Sequence, residues 1–193
     1  MGGSMSSVII TGDTSGAITL AAPSVAGTNT ITLPANTGTV ITTASSGQSI
    51  PKPALPTGSV LQVVSANRSG EAATTSSSFV DSGLSVSITP TSSTSKIFVM
   101  YTGSAGTSAT QEAYLTLLRG STNLGNGTQG LMRLWFNGSS SYHFGGMSMS
   151  YLDSPATTSS TTYKVQYRSD GTNYVYISGG NSTDTLTAWE IAA

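Results

Sequence analysis

The sequence predicts an all-β fold in which a short N-terminal β-repeat assembly segment precedes an antiparallel β-sandwich. Ser, Thr, Gly, Val and Ile dominate the chain, and no window carries a long apolar stripe with the 3.6-residue period of a helix. Short β-type runs alternate with Gly, Asn, Asp and Pro. Only 8% of the residues are charged and the net charge is −1, so we expect exposed sheet edges and apolar faces to be covered in an oligomer.

The N-terminal part of the chain is a repeat of short β-type runs. Residues 1–5 are typical of a tag or start remnant, with the native start at Met5. Residues 6–44 contain four runs without an aromatic residue: SVIIT, AITLAA, NTITLP and TVITT. A piece this small cannot bury enough apolar surface to offset its chain entropy. The repeat is therefore predicted to fold against other copies of itself; the alternative interpretation is a flexible linker.

Residues 45–57 are predicted to form a linker rich in Pro and Ser. Pro51, Pro53 and Pro56 follow one another closely, which favours an extended polyproline-type backbone and a stiff spacer over a sheet. The alternative is a ligand for a Pro-recognising domain. Residues 58–193 then form a head domain with the size of one sandwich, and this domain contains every Phe, Tyr and Trp of the chain.

The head domain contains a series of β-type runs: SVLQVVSA, SSFVDSGLSVSIT, KIFVMYTG, AYLTLLRG, LMRLWF, YHFGGMSMSYL, TYKVQYRS, TNYVYIS and LTAWEIA. Alternation is clear in TYKVQYRS, where Tyr163, Val165 and Tyr167 share the face expected to be buried. The stretch QEAYLTLLR at 111–119 has the Leu and Ala content of a short helix. The Gly120 and STNLGNG that follow it favour a strand and a turn.

A β-hairpin is predicted in the stretch YRSDGTNYVYI. Asp170 and Gly171 lie between two β-type runs, and this residue pair favours the two-residue type I′ turn that joins neighbouring antiparallel strands. A second Gly-rich stretch, GNGTQG at 125–130, matches the dinucleotide-binding fingerprint letter for letter. Because LMRLWF after it reads as a strand rather than a helix, we interpret the stretch as a hairpin loop.

The sequence predicts no enzyme, no cofactor and no metal site. The chain has no Cys, which excludes thiol catalysis and Cys-ligated zinc. His143 is the only histidine and no nucleophile elbow is present, so we interpret it as a packing or surface residue. The carboxylates are scattered and each suits a turn, a cap or an edge strand. A glycosidase pair stays open as an alternative, because its two acids meet only in three dimensions.

Three loop regions are candidates for recognition because they are expected to face solvent: 121–130, 137–142 and 170–173. The candidate residues in and beside them are Asn126, Trp135, Asn137, Tyr142, Asp170 and Asn173. Trp135, Phe136 and Tyr142 lie near polar residues and can stack on sugar rings. We interpret these aromatic residues as members of the core or of a subunit interface, with sugar stacking as the alternative.

Two parts of the sequence resemble known proteins. The stretch GAITLAAPSVAGTNTITLPANTGTVITT is similar to the N-terminal segment of virion structural and tail-fibre proteins of tailed bacteriophages, where Ile-Thr-Leu-x-x-Pro and Thr-Leu-Pro-x-x-x-Gly-Thr recur. The later runs resemble the C-terminal domain found on many of those proteins: PTGSVLQVVSA, SSSFVDSGLSVSITP, SSTSKIFVMYTGSAG, AYLTLLRGSTNLG and TLTAWEIAA. Their order is also similar to the trimeric jelly-roll heads of the complement and tumour-necrosis-factor type, in which a final strand such as TAWEI lies at the trimer centre.

The resemblance implies a homotrimeric virion appendage that is assembled in the host bacterial cytoplasm. Its N-terminal segment would contact other capsid or tail proteins, and its jelly-roll-type head would bind a host cell-surface glycan. No catalytic motif carries over, and the low charge predicts neither nucleic-acid binding nor, without a long apolar run, membrane insertion. The alternatives are a head fibre or capsid-decorating protein without a receptor, a polysaccharide-degrading tail appendage, and a cellular adhesin.

Overall fold

The structure, a computed structural model, describes residues 7–11, 17–21, 55–136 and 142–193. The chain divides into two compact units, Met1–Gln48 and Ser49–Ala193. The described strands, numbered in chain order, are β1 (Ser7–Thr11), β2 (Ala17–Ala21), β3 (Val60–Ser69), β4 (Ala72–Thr74), β5 (Val80–Ile88), β6 (Lys96–Thr107), β7 (Gln111–Arg119), β8 (Thr122–Asn123), β9 (Met132–Phe136), β10 (His143–Asp153), β11 (Thr161–Ser169), β12 (Val175–Ile177) and β13 (Thr183–Ile191).

The first unit contains one antiparallel strand pair among its described residues. SVIIT and AITLAA form strands, as predicted. The structure adds that they pair with each other, from Ser7 opposite Ala21 to Thr11 opposite Ala17. A two-stranded sheet by itself is at best marginally stable in water. The runs NTITLP and TVITT lie outside the described residues, and the prediction that the segment assembles with copies of itself stays a prediction.

The second unit is a sandwich of two antiparallel sheets, which confirms the predicted fold class. In the first sheet, β6 pairs with β10 along one edge and with β13 and then β12 along the other. The outer edge of β13 pairs with β3, and the outer edge of β12 pairs with β4. In the second sheet, β11 lies between β5 and β7, and β8 and β9 share the far edge of β7. The main strands β3, β5, β6, β7, β9, β10, β11 and β13 are divided between two sheets as in a jelly roll.

The core lies between the two sheets because each strand alternates its side chains between the core and the outer face. β11 places Tyr163, Val165 and Tyr167 in the core, as its alternation predicts. The stretch QEAYLTLLR is a strand rather than a helix, and Leu115 and Leu117 are fully buried. Burial of such aromatic and aliphatic side chains stabilises the fold by roughly 1.5–3 kcal/mol per large residue.

The prediction of a β-hairpin at Asp170 and Gly171 is wrong. β11 belongs to the second sheet and β12 to the first, so the chain crosses the sandwich here. Gly171 has a φ of +103°, but Asp170 is not among the residues with positive φ, which a type I′ turn requires. The buried side chain of Gln111 fixes the crossing: its Oε1 accepts from the Asn173 N–H at 3.0 Å and its Nε2 donates to the Tyr174 carbonyl at 2.8 Å. Alternating runs beside a turn pair do not reveal which sheet each run joins.

A network of buried polar side chains lies at the end of the core that is next to the β12–β13 connection. The Asp184 carboxylate is fully buried and accepts hydrogen bonds from the Tyr101 hydroxyl at 2.8 Å, the Ser178 hydroxyl at 2.9 Å and the Ser104 N–H at 3.1 Å. Arg68 donates to the Ser178 hydroxyl at 2.7 Å. Burial, and next the charge of Asp184, raises the pKa of Tyr101 above its ordinary range. The carboxylate is therefore satisfied by neutral donors, as a buried charge requires.

Replacing Gly103 with Ala should destabilise the head domain, because a Cβ atom at this position would lie 2.4 Å from the Asp184 carboxylate and 2.6 Å from the Tyr101 hydroxyl. We expect the free energy of unfolding to fall by about 2–4 kcal/mol. Gly145→Ala is the matched control, because nothing lies within 4 Å of its Cβ position, and it should change stability by about 1 kcal/mol or less. Guanidinium unfolding at one protein concentration measures both, and equal effects would contradict the crowding argument.

Candidate interface and binding surfaces

Glu190 is a buried carboxylate that hydrogen bonds stabilise within the head domain. It is fully buried at the far end of β13 from Asp184. It accepts hydrogen bonds from the Thr91 N–H and hydroxyl at 2.6 and 2.7 Å, the Ser95 hydroxyl at 2.7 Å and the Gln62 amide at 2.6 Å. Burial alone would raise the pKa of Glu190, but the hydrogen bonds outweigh burial and lower it. The group therefore stabilises the fold in its ionised form.

Asp153 is a third buried carboxylate with a full set of donors. It receives an ion pair from the Arg119 guanidinium at 2.8 Å and a hydrogen bond from the Tyr163 hydroxyl at 2.7 Å. Burial, and next the bond to Asp153, raises the pKa of Tyr163. The sequence predicts such acids at turns, caps and edge strands, and this prediction is wrong for these three buried carboxylates. A general acid or base must reach a substrate, and each of these carboxylates is instead enclosed by its own structural donors.

His143 lies in β10 opposite Thr107. Its Nε2 atom is buried and has no hydrogen-bond partner among the described residues. A hydrolytic triad needs a histidine nitrogen within hydrogen-bond reach of a serine hydroxyl, and the described part of the chain provides no such contact. The described residues also contain no cluster of three or more His, Asp or Glu residues that could hold a metal ion.

The outer face of the first sheet, called here the first-sheet face, is uncharged over three neighbouring rows of paired residues. The rows are Val63–Trp189–Phe98–Leu152, Ser65–Thr187–Met100–Ser150 and Asn67–Thr185–Thr102–Ser148. Val63 and Leu152 are 53% and 58% exposed, and the rings of Phe98 and Trp189 lie 5.5 Å apart. The hydroxyl rows are joined by side-chain hydrogen bonds across β3 and β13. The face thus combines hydroxyl side chains with the row Val63–Trp189–Phe98–Leu152, called here the apolar strip. Aromatic residues together with a lack of charge are typical of an interface core.

β10 adds a long free edge to the first-sheet face. It pairs only with β6 among the described strands, so the backbone groups on its other side face outward for 11 residues. Natural edge strands are ordinarily protected by Lys, Pro or bulges. The β10 sequence HFGGMSMSYLD has no Lys and no Pro, and Asp153 at its end is buried. Such an edge is suited to being covered by another chain.

Four aromatic rings form a cluster at one end of the first sheet. Tyr142 and Tyr174 are 61% and 51% exposed, Phe144 is 41% exposed, and together these rings cover Tyr176. Phe144 lies where Cβ atoms at Gly106 and Gly179 would be, so only glycine leaves room for its ring. Burial, and next a hydrogen bond with Tyr142, raises the pKa of Tyr176 to about 12. Tyr142 is therefore a surface residue packed on other rings rather than a core residue.

The outer face of the second sheet, called here the second-sheet face, is different because it carries charges. On this face Arg168 of β11 is paired with Tyr114 of β7, and Tyr114 is paired with Arg133 of β9. Glu112 accepts from both Arg133 and Tyr114, and the bond to Arg133 is the largest cause that lowers its pKa. Trp135 is paired with Glu112 and is 62% exposed. Trp135 thus lies on a sheet surface rather than in the core.

The predicted recognition loop 121–130 folds over this second-sheet face. Asn126 and Gly130 form a small antiparallel bridge, and the Asn126 side chain accepts from the backbone N–H groups of Thr128 and Gln129. The Thr128 carbonyl accepts from Arg168. β8 and β9, which flank the loop, both pair with β7 rather than with each other, so the Gly-rich stretch leaves the sheet edge and returns to it.

The structure brings together some of the predicted recognition residues and separates others. Asn126 and Trp135 belong to the second-sheet face and its loop, and exposed Asp170 follows Arg168 by two residues. Tyr142 lies on the first sheet, and partly exposed Asn173 belongs to the crossing between the sheets. Asn137 lies outside the described residues.

Arg168 and Tyr114 are candidate site residues that the sequence pattern does not predict. The Arg168 guanidinium carbon lies 3.7 Å from the centre of the Tyr114 ring and 5.5 Å from that of Phe79. Strand alternation alone can place Arg168 on an outer face. That β7, β11 and the 121–130 loop meet at this residue depends on sheet order, which the sequence pattern does not contain.

No protein-family model matches this chain, and a search of curated proteins gives no match. In the described part of the chain, no helix has the length and apolar character needed to cross a membrane. The function is therefore inferred from the surfaces of the chain and from the sequence resemblance to tail-fibre proteins.

Replacing Glu190 with Gln should weaken the head domain at neutral pH and reduce its sensitivity to acid. The pKa of Glu190 is lowered in the folded state, so its stabilising effect is complete above its ordinary value and is lost as the pH falls through the lowered value. We expect a loss of about 2 kcal/mol at pH 7 and a smaller loss than in the natural chain between pH 7 and pH 3.

Glu71→Gln is the matched control, because Glu71 is exposed and its loss should leave the pH profile unchanged. Thermal unfolding measured across this pH range tests the prediction. Parallel profiles for the natural chain and Glu190→Gln would show that Glu190 does not contribute to acid sensitivity.

Proposed function

We propose that the chain is a non-enzymatic structural protein of a bacteriophage virion, in which three copies form a fibre or appendage that attaches to the host surface. The observation that supports assembly is the first-sheet face. It joins an exposed apolar strip to hydroxyl rows without a charged residue, beside the unprotected edge of β10. Exposed apolar patches of this kind mark interaction sites.

The choice of three copies comes from the resemblance to trimeric tail-fibre and jelly-roll heads. In such an assembly the first-sheet faces of three head domains would surround one axis, with β13 and its Trp189 near the centre. A hydroxyl-rich face suits repeated contacts between identical surfaces because each Ser or Thr hydroxyl both donates and accepts. The N-terminal repeat would add a shared core for segments that cannot fold alone, and it would contact other virion proteins.

The alternative of a head fibre or capsid-decorating protein uses the same interface without host attachment. The polysaccharide-degrading alternative has less support, because the carboxylates Asp153, Asp184 and Glu190 are buried in structural networks. A reducing-sugar assay on host capsule would distinguish that alternative, since only an enzyme releases new sugar ends.

A charge placed in the apolar strip should dissociate the assembly. Val63→Glu and Leu152→Glu each put a carboxylate at an exposed position of the first-sheet face, so the monomer should fold while the interface must bury an unpaired charge. We expect light scattering to give a trimer mass for the natural chain and a monomer mass for both variants, a loss of several kcal/mol of association free energy. Ser87→Glu, at an exposed position of β5, is the matched control and should stay trimeric. A monomeric natural chain would contradict the proposal.

Removing the residues before Pro56 separates the contributions of the two units to assembly. A head domain that stays trimeric would assign assembly to the first-sheet face, and we expect this result because the strip lies entirely in the second unit. Light scattering over a range of concentrations measures the mass. A truncated chain that is monomeric while the full chain is trimeric would assign assembly to residues 6–44 instead.

A further inference from the structure

The second-sheet face contains an open pocket that the assembly interface does not use. Its volume is about 410 Å³. The lining residues come from the β4–β5 connection, the 121–130 loop and the end of β11: Ser77, Ser78, Phe79, Gly127, Thr128 and Arg168. The hydroxyls of Ser77 and Ser78 make no hydrogen bond within the described structure, so both are available to a ligand.

Arg168, which lines this pocket, has unused donors. A guanidinium carries five N–H groups. The Nε and Nη2 atoms donate to the Thr128 carbonyl, and the Nη1 atom donates to the Ser169 carbonyl at 2.9 Å. One N–H group on each Nη atom is left without an acceptor among the described residues. Two such N–H groups form the fork that binds a carboxylate in a bidentate way.

No carboxylate forms an ion pair with Arg168 within the described structure, and its charge is only among the smaller causes that lower the pKa of Glu112. The nearby Glu112 is engaged by Arg133 and Tyr114, and Asp81 is engaged by Lys164 at 2.9 Å. The rings of Tyr114 and Phe79 hold the guanidinium through cation–π contacts, which fix its orientation without removing its charge. The pocket therefore presents an oriented cation that favours an anion.

Trp135 provides an exposed aromatic surface on the same face. It is paired with Glu112, two residues along β7 from the Tyr114 that pairs with Arg168. Ordinary strand spacing and rise place the Cα atoms of Trp135 and Arg168 roughly 12 Å apart. An exposed indole ring packs well against the C–H face of a sugar ring, and this separation suits a short oligosaccharide that reaches both residues.

We propose that the second-sheet face binds an acidic oligosaccharide, with Arg168 holding a sugar carboxylate and Trp135 stacking on a neighbouring sugar ring. This inference deepens the proposed host attachment and rests on it for its biological meaning. The first-sheet and second-sheet faces lie on opposite sides of the sandwich, so an assembly through the first would leave three copies of this site exposed. Weak single sites then combine into strong attachment through avidity.

Titration calorimetry of the full chain tests the site with three probes: a galacturonic acid tetramer, a sialic acid trimer and neutral maltotetraose. We expect at least one acidic probe to bind and the neutral probe not to bind, and the two acidic probes distinguish a uronic from a sialic source of the carboxylate. Binding should weaken with added salt, because the interaction is charged. Absence of binding of both acidic probes up to millimolar concentration, or equal binding of the neutral probe, would overturn the proposal.

Two variants test the assigned residues. Trp135→Ala should weaken binding about tenfold, and Arg168→Lys, which keeps the charge but loses the fork, should weaken it about tenfold or more. Tyr142→Ala is the matched control, since Tyr142 is equally exposed but lies on the first sheet, and it should bind like the natural chain. A Trp135→Ala variant that binds normally, or a Tyr142→Ala variant that loses binding, would overturn the site.

Light scattering on the same samples separates this inference from the proposed assembly. A trimer that does not bind acidic probes contradicts the oligosaccharide site and leaves the assembly proposal standing. A monomer that binds them at Trp135 and Arg168 supports the site and contradicts the trimer.

Discussion

β6 pairs with β10, β13 and β12 along its twelve residues, and its side chains alternate between the core and the outer face. Val99 and Tyr101 point into the core, whereas Phe98, Met100 and Thr102 belong to the first-sheet face. A shift of the register by one residue would exchange these two sets. The buried network around Asp184 depends on this register, because the Tyr101 hydroxyl and Ser104 N–H are its donors. The core, the polar network and the candidate interface are thus set by the same pairing.

The few charged side chains of the described residues are unevenly distributed. Three of the described carboxylates are buried, and their donors are mostly hydroxyls, amides and backbone N–H groups, with Arg119 at Asp153 as the cationic exception. Neutral donors can satisfy a buried carboxylate when several converge on it. The first-sheet face is left without charge in its central rows, whereas Arg168 and the pair of Arg133 with Glu112 lie on the second-sheet face. This division favours assembly through one face and recognition at the other.

The binding site proposed on the second-sheet face combines residues from three separate parts of the chain. Arg168 comes from β11, Tyr114 from β7, and the Thr128 carbonyl from the loop before β9. The loop reaches Arg168 because Asn126 and Gly130 close it into a compact turn. An oriented guanidinium beside a rigid aromatic surface is ready to bind before a ligand arrives, which reduces the ordering cost of binding. In the proposed assembly, several such sites would act together.

The long strands of the head domain and, in TYKVQYRS, the side that faces the core can be predicted from sequence alone, because side-chain alternation and turn residues are local properties of the chain. The short strands β4 and β8 carry no such signal. Alternation was sufficient to identify Tyr163, Val165 and Tyr167 as core residues, and Gly120 with its turn was sufficient to decide that QEAYLTLLR is a strand. The tertiary structure alone decided which strands become neighbours. It shows β11 and β12 in different sheets despite the Asp170-Gly171 pair, and it places Arg168 against Tyr114 and Thr128. Sheet order arises from packing between residues distant in the chain, and a local pattern contains no record of such contacts.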